Sequence, residues 1–157
     1  EGDGSEIQLG RQVDLEQSDR IANSIEFRWD NTDDGDARLV WNHTRFGLTL
    51  SDGGLIVEAS AANGSIDKFV INNVDLDDGG VHNITTFLDD NQNRLQVIID
   101  DKIALDEDNV DFDNGGAYDF QWGWSIGTPW NRGFDGDVTE FHLGDTFDFV
   151  DNWINVA

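Results

Sequence analysis

The chain has 157 residues, a net charge of −24, and 6 Trp, 10 Phe and 1 Tyr. That length builds one domain with a real hydrophobic core, and the aromatic content excludes an acidic disordered chain, which is poor in such residues. So negative a field makes nucleic acid and anionic membrane poor partners; neutral glycans, peptides, cations and basic surfaces remain.

In chain order, residues 7–15 read as a first or edge strand. Ile25, Phe27 and Trp29 then alternate with Glu26 and Arg28, as a half-buried strand requires. The acidic stretch Asp30-Asn31-Thr32-Asp33-Asp34-Gly35-Asp36 follows. It imitates the first half of an EF-hand loop, but position 12 is Trp41 in place of the bidentate Glu and no helices flank it, so an EF-hand is excluded. Phe46, Leu48 and Leu50 alternate next. Ile84 and Leu88 flank Thr86 on one face, with Leu95, Val97 and Ile99 across the Asp89–Asn93 turn. Asp106, Glu107, Asp108, Asp111 and Asp113 read as a solvated loop, or as a clamp for a second ion. Tyr118, Phe120, Trp122, Trp124 and Ile126 form the longest alternation, and Gly127–Gly133 a Pro- and Gly-framed loop. No stretch holds a helical period over three turns, and no linker or solenoid repeat divides the chain. Ten or more short strands between acidic turns predict an all-β antiparallel sandwich, one domain over residues 1–157.

The acid is lopsided, with 26 Asp against 7 Glu. Asp forms turns and is a short ligand for hard cations. Two readings of its clusters are compatible: a solvated, salt-adapted surface, and a calcium-binding loop. The candidate calcium ligands are Asp30, Asp33, Asp34 and Asp36, with Asp135 and Asp137 as a second set around Gly136. Gly136 lets the backbone turn tightly there. No Cys is present, so no disulfide framework marks an oxidising compartment. There is no signal peptide, transmembrane run or starting Met; the EGDGSE start and WINVA end suggest a module excised from a larger chain.

Two segments belong together: Gly80 to Leu105 (GVHNITTFLDDNQNRLQVIIDDKIAL) and Ser125 to Asp145 (SIGTPWNRGFDGDVTEFHLGD). A His opens a strand, a Leu-x-Val-x-Ile partner ends in acidic residues, and Ile126-Gly127 and Phe134-x-Gly136-x-Val138 follow. This series resembles that of the laminin-G-like, concanavalin-type β-sandwich domains, over about Ile25 to Leu143. Val81 stands where that pattern has Trp, and Asp100-Asp101-Lys102 where it has Asp-Gly. Thr44-Arg45 holds the place of a calcium-ligating Asp in eukaryotic laminin-G domains, so calcium belongs elsewhere. The resemblance implies a jelly-roll of two curved sheets with ligand at a rim or on the concave face. It also implies company in secreted bacterial adhesins or polysaccharide-active proteins.

Trp130, Asn131 and Arg132 are the expected ligand residues: Trp stacks on a sugar ring, Asn and Arg supply directional hydrogen bonds. The alternative is a Trp folded back over the end of the sandwich. Tyr118 and Trp122 belong to the core alternation or reach a concave binding face; Trp41 and Trp153 carry no context beyond being aromatic. His82 is expected to point inward with a hydrogen-bond partner, and the three scattered His residues exclude a zinc site by spacing. The string Glu1-Gly2-Asp3-Gly4-Ser5-Glu6 matches the Glu-x-Asp-x-x-Glu of family 16 glycosidases, but it lacks the alternating apolar residues that hold such a strand. The expected protein is therefore not an enzyme. It is an extracellular, calcium-dependent, lectin-like module, monomeric within a larger bacterial surface protein, without membrane insertion. The alternatives are a calcium-dependent peptide-binding adhesin module and a structural spacer that binds calcium alone.

Overall fold

Alternating apolar and polar residues make each strand two-faced, and such strands stack face to face. The computed structural model describes residues 6–10, 20–29, 35–42, 46–60, 65–110, 124–127 and 134–144. Its strands are β1 (Glu6–Gly10), β2 (Arg20–Arg28), β3 (Ala37–Asn42), β4 (Phe46–Ser51), β5 (Gly54–Ser60) and β6 (Ile66–Ile71). Then come β7 (Val81–Asp89), β8 (Arg94–Ile99), β9 (Lys102–Asp108), β10 (Trp124–Gly127) and β11 (Asp137–Gly144). They form a six-stranded sheet, β1-β10-β3-β4-β5-β6, and a five-stranded sheet, β11-β2-β7-β8-β9. All the pairings are antiparallel. The expected all-β sandwich is what forms. No helix of the described residues is long and apolar enough to cross a membrane.

The core lies between the sheets. Ile25, Phe27 and Trp29 of the β2 segment are buried in one cluster with Phe46, Leu48 and Leu50 of β4, each at most 2% exposed. Burying a side chain of that size contributes about 1.5–3 kcal/mol. Register places Ile84, Thr86 and Leu88 opposite Ile99, Val97 and Leu95, so this inward face is the one the alternation predicts. One feature escapes the alternation: Ala22, Phe87 and Ile98, on the other face of the five-stranded sheet, form a second buried cluster with Ile103 packed against it. A period of two identifies one buried face per strand. It is silent on apolar side chains that meet across strands on the opposite face, as Ala22 and Phe87 do.

Asp106, Glu107 and Asp108 are not loop residues. They end β9, where Asp106 receives Arg94 in a two-pronged pair, Nε at 2.9 Å and Nη2 at 2.8 Å. The Arg94 guanidinium holds the Asp106 carboxyl below its ordinary range. Strand pairing with β8 supplies the partner that a solvated loop lacks.

Asp100 and Asp101 make the β8–β9 turn with φ of 49° and 62°. Asp100 uses its side chain there; Asp101 is exposed. A left-handed L-residue is strained where glycine is not. Relief of about 1–2 kcal/mol of left-handed strain exceeds the about 0.5–1 kcal/mol that glycine's freedom in the unfolded chain costs, so Asp101→Gly should stabilise the domain by about 0.5–1 kcal/mol, read as a higher urea midpoint. An unchanged midpoint would mean that the left-handed Asp101 costs nothing.

Candidate functional site

Antiparallel pairing sorts the connections to two ends of the sandwich. Arg28 lies beside both Val81 and Asp137, Ala37 beside Leu50, and Ile99 beside Lys102. One end therefore receives Gly35 and Asp36, the 52–53 turn, the 72–80 segment, the 100–101 turn and the approach to β11. Asp36 and Asp135–Asp137, far apart in sequence, arrive at the same end. Trp130, Asn131 and Arg132 lie outside the described residues, but Gly127 and Phe134, which flank their loop, belong to this end as well. Tyr118 and Trp122 also lie outside; the chain that holds them enters β10 at Trp124, at the opposite end.

Gly136 is needed for close approach. A Cβ there would stand 2.1 Å from the Arg28 carbonyl oxygen and 2.4 Å from Phe134 Cζ. Phe134 in turn meets Phe27 edge to face, with centroids 6.0 Å apart. The glycine thus seats the start of β11 against the core.

His82 is the best-defined polar group at this end. It is 8% exposed on the inward face of β7, beside Phe27. Its Nδ1 lies 2.8 Å from Asp100 Oδ2 and its Nε2 3.0 Å from Asp78 Oδ1. Burial alone would discharge the ring, but the hydrogen bonds to Asp100 and Asp78 outweigh it, and the pKa is raised above the ordinary 6.5. Asp78 titrates below its ordinary value because it accepts the Gly80 N–H and then because it faces His82. Asp100 also accepts the Asn83 N–H at 2.9 Å. The 72–80 segment is further held by Leu76 N–H to Gly53 O (2.8 Å) and Gly79 N–H to Trp29 O (3.1 Å). The inward-facing, partnered His82 matches the sequence expectation.

The expected calcium ligands are less completely placed. Asp36 is half-buried and accepts a hydrogen bond from Ser51 Oγ; Asp135 and Asp137 are exposed. Asp30, Asp33 and Asp34 lie outside the described residues. Among the described residues no three His, Cys, Asp or Glu side chains are grouped to hold a metal ion. By themselves they do not make the site. Of the glycosidase-like string, Glu6 opens edge strand β1, and Glu1–Ser5 lie outside the described residues.

The outward face of the six-stranded sheet carries a feature the sequence left without context. Trp41 is half-buried there, directly opposite Gly47. A Cβ on Gly47 would stand 2.5 Å from Trp41 Cζ3 and 2.6 Å from Cε3, so the ring lies against bare backbone. Arg38 Cζ sits 3.8 Å from the ring centroid, a cation–π contact. The same Gly47 position is 3.7 Å from Glu58 Oε2, and Glu58 pairs with Lys68 at 3.1 Å. The ring is thus packed between the Gly47 backbone and the Arg38 guanidinium, with Glu58 and Lys68 alongside. The only sequence signal for it was a Trp and a Gly spaced to oppose each other across a hairpin, visible once the register is known.

No protein-family model and no curated protein matches the sequence. Solved structures do. The CBM40 of Ruminococcus gnavus IT-sialidase superposes with a TM-score of 0.72 at 10% identity, over 89% of this chain and 85% of that one. Domains LG4-5 of the mouse laminin alpha1 chain match with a TM-score of 0.65 at 13% identity, over 91% of this chain and 40% of theirs. The SAP-like pentraxin of Limulus polyphemus matches with a TM-score of 0.53 at 11% identity, over 80% and 64%. This chain spans less than two thirds of the laminin and pentraxin chains. At such identities the likeness is one of fold, and the fold is the laminin-G-like, concanavalin-type β-sandwich that the motif series implies.

Proposed function

We propose that the chain is a carbohydrate-binding module of a secreted bacterial surface or polysaccharide-active protein, acting by binding rather than catalysis. The observation that carries this reading is Trp41 on an outward sheet face, with the Arg38 guanidinium over its ring and Glu58 alongside. A pyranose ring stacks its apolar C–H face on the indole once Arg38 turns aside to donate to a hydroxyl, and Glu58 accepts from another. The fold likeness to CBM40, also known in complex with alpha2,3 sialyllactose, adds support. Trp130, Asn131 and Arg132 supply a second contact region. The Asp30–Asp36 stretch holds calcium, an extracellular requirement that weak affinity satisfies.

The test is a combined glycan and peptide array probed in millimolar calcium and again with chelator. Signal on one saccharide class, weakened by chelator, is the expected result. Signal on peptides alone would replace this reading with a peptide-binding adhesin module, and a blank array with a structural spacer.

A further inference from the structure

An edge strand keeps unpaired backbone groups and can take on a further strand. β6 closes the six-stranded sheet with β5 as its neighbour, and among the described residues nothing pairs with its other side. Natural edges are blunted by proline, by a bulge or by charge. β6 contains no proline, and its register with β5 runs unbroken from Ile66 to Ile71. Its one cation, Lys68, is tied back toward β5 by Glu58 Oε1 at 3.1 Å. On either side of Lys68, Ile66 and Val70 are 53% and 64% exposed in the single chain. Asp67 is the one protective charge left, and it faces inward between them.

An antiparallel strand laid along β6 presents its residues directly opposite, on the same face. Opposite Ile66, Lys68 and Val70 it must carry apolar, acidic and apolar residues at alternate positions. A second β6 does not fit. Matching Ile66 with Val70 sets Lys68 against its own copy, like charges face to face.

The required pattern occurs three times in the sequence. Ile99-x-Asp101-x-Ile103 forms the β8–β9 turn, and Leu143-x-Asp145-x-Phe147 begins inside β11. Phe149-x-Asp151-x-Trp153 contains no residue of a described strand and lies outside the described residues. With Asp151 opposite Lys68, Trp153 meets Ile66 and Phe149 meets Val70. The inward row then matches as well: Asn152 meets Asp67, and Val150 meets Phe69, which packs against the core. Aromatic, β-branched and opposite-charge partners are those that stabilise sheet pairs. A shift of two residues sets Asp151 against Ile66 or Val70, so charge fixes the register.

From this match we propose that β6 accepts residues 149–153 of a second copy of this chain as an antiparallel seventh strand. Donor and acceptor surfaces differ, so the contact is heterologous and repeats head to tail. Each copy carries −24, and that repulsion opposes the encounter. Salt at about 0.15 M screens it beyond roughly 8 Å, which leaves the close contacts of a strand pair to decide. The inference is independent of the carbohydrate-binding reading.

Sedimentation velocity of the full chain at physiological salt, from micromolar to millimolar protein, tests it. The average mass should rise with concentration. Lys68→Glu and Asp151→Lys should each weaken association about tenfold, and the double variant should restore it, because the pair is then reversed rather than removed. Circular dichroism and melting points serve as the folding control. A synthetic peptide of residues 145–157 should dissolve the assemblies of the parent chain, whereas the same peptide carrying Asp151→Lys should not. That competition needs no variant to fold. A chain that stays monomeric at millimolar concentration overturns the proposal. So does association that Lys68→Glu leaves unchanged, that the double variant fails to restore, or that the peptide does not disturb.

Discussion

Replacing Trp41 with alanine should lower glycan affinity by about 2 kcal/mol or more, roughly thirtyfold in Kd, since a buried Trp contact is a typical binding hot spot. Trp41 faces outward, so its loss leaves the inward clusters of Phe46, Leu48 and Leu50 intact and the domain folded. Gly47→Ala tests the same geometry without removing the ring. Its methyl group would demand the space of Trp41 Cζ3 and Cε3, so the indole must swing away from the position it holds beside Arg38. Both variants should lose affinity on whichever saccharide the array identifies, measured by titration calorimetry on protein of unchanged circular dichroism. Full retention of binding by Trp41→Ala would remove the sheet face from the site and return attention to Trp130, Asn131 and Arg132.

His82→Gln should destabilise the domain by about 2 kcal/mol near pH 6, roughly 4–8 °C in melting temperature. This allows for two charge-assisted hydrogen bonds to carboxylates that are about half exposed and therefore partly screened. The pH dependence carries the stronger test. A neutral imidazole has one N–H and cannot donate to both Asp78 and Asp100, so the clamp requires the imidazolium. The folded pKa lies above the ordinary 6.5, so the stabilisation is complete below 6.5 and is lost as pH rises through the raised value. Asp78, depressed by the Gly80 N–H and by His82, contributes in the opposite sense: its share is present above 3.8 and lost as pH falls through the depressed value. Other charges around the ring come from Asp75 and Asp77 on the 72–80 segment, Asp101 on the turn, and Arg28 and Asp137 on the adjoining strands. Of these, Asp77 titrates above its ordinary value, chiefly through its hydrogen bond with Asp75. Melting temperatures from about pH 6 to about pH 9 should therefore converge for parent and His82→Gln as the parent loses its clamp. Curves that stay parallel would show that His82 is not held as the imidazolium.

Much of this architecture was legible before any coordinates. Phe27, Leu48 and Val97 sit inward because period-two alternation and burial are two statements of the same preference. His82 was legible too, since its place at the head of a strand, in a motif series of known fold, fixed which way it would point. Asp106 was not, because its loop-like composition gives no sign of Arg94, whose reach to it depends on the pairing of β8 with β9.

The amino-acid sequence by itself determined the two-layer β-sandwich, the inward residues and the acidic character of the connections. Each follows from local alternation or from turn chemistry within a few residues. Only the tertiary structure decided that Asp36 and Asp135–Asp137 share an end, and that Trp41 rests on Gly47 in a row with Glu58 and Lys68. Those relations belong to strand order and register, set by how the eleven described strands close one core together. No single stretch of sequence contains them.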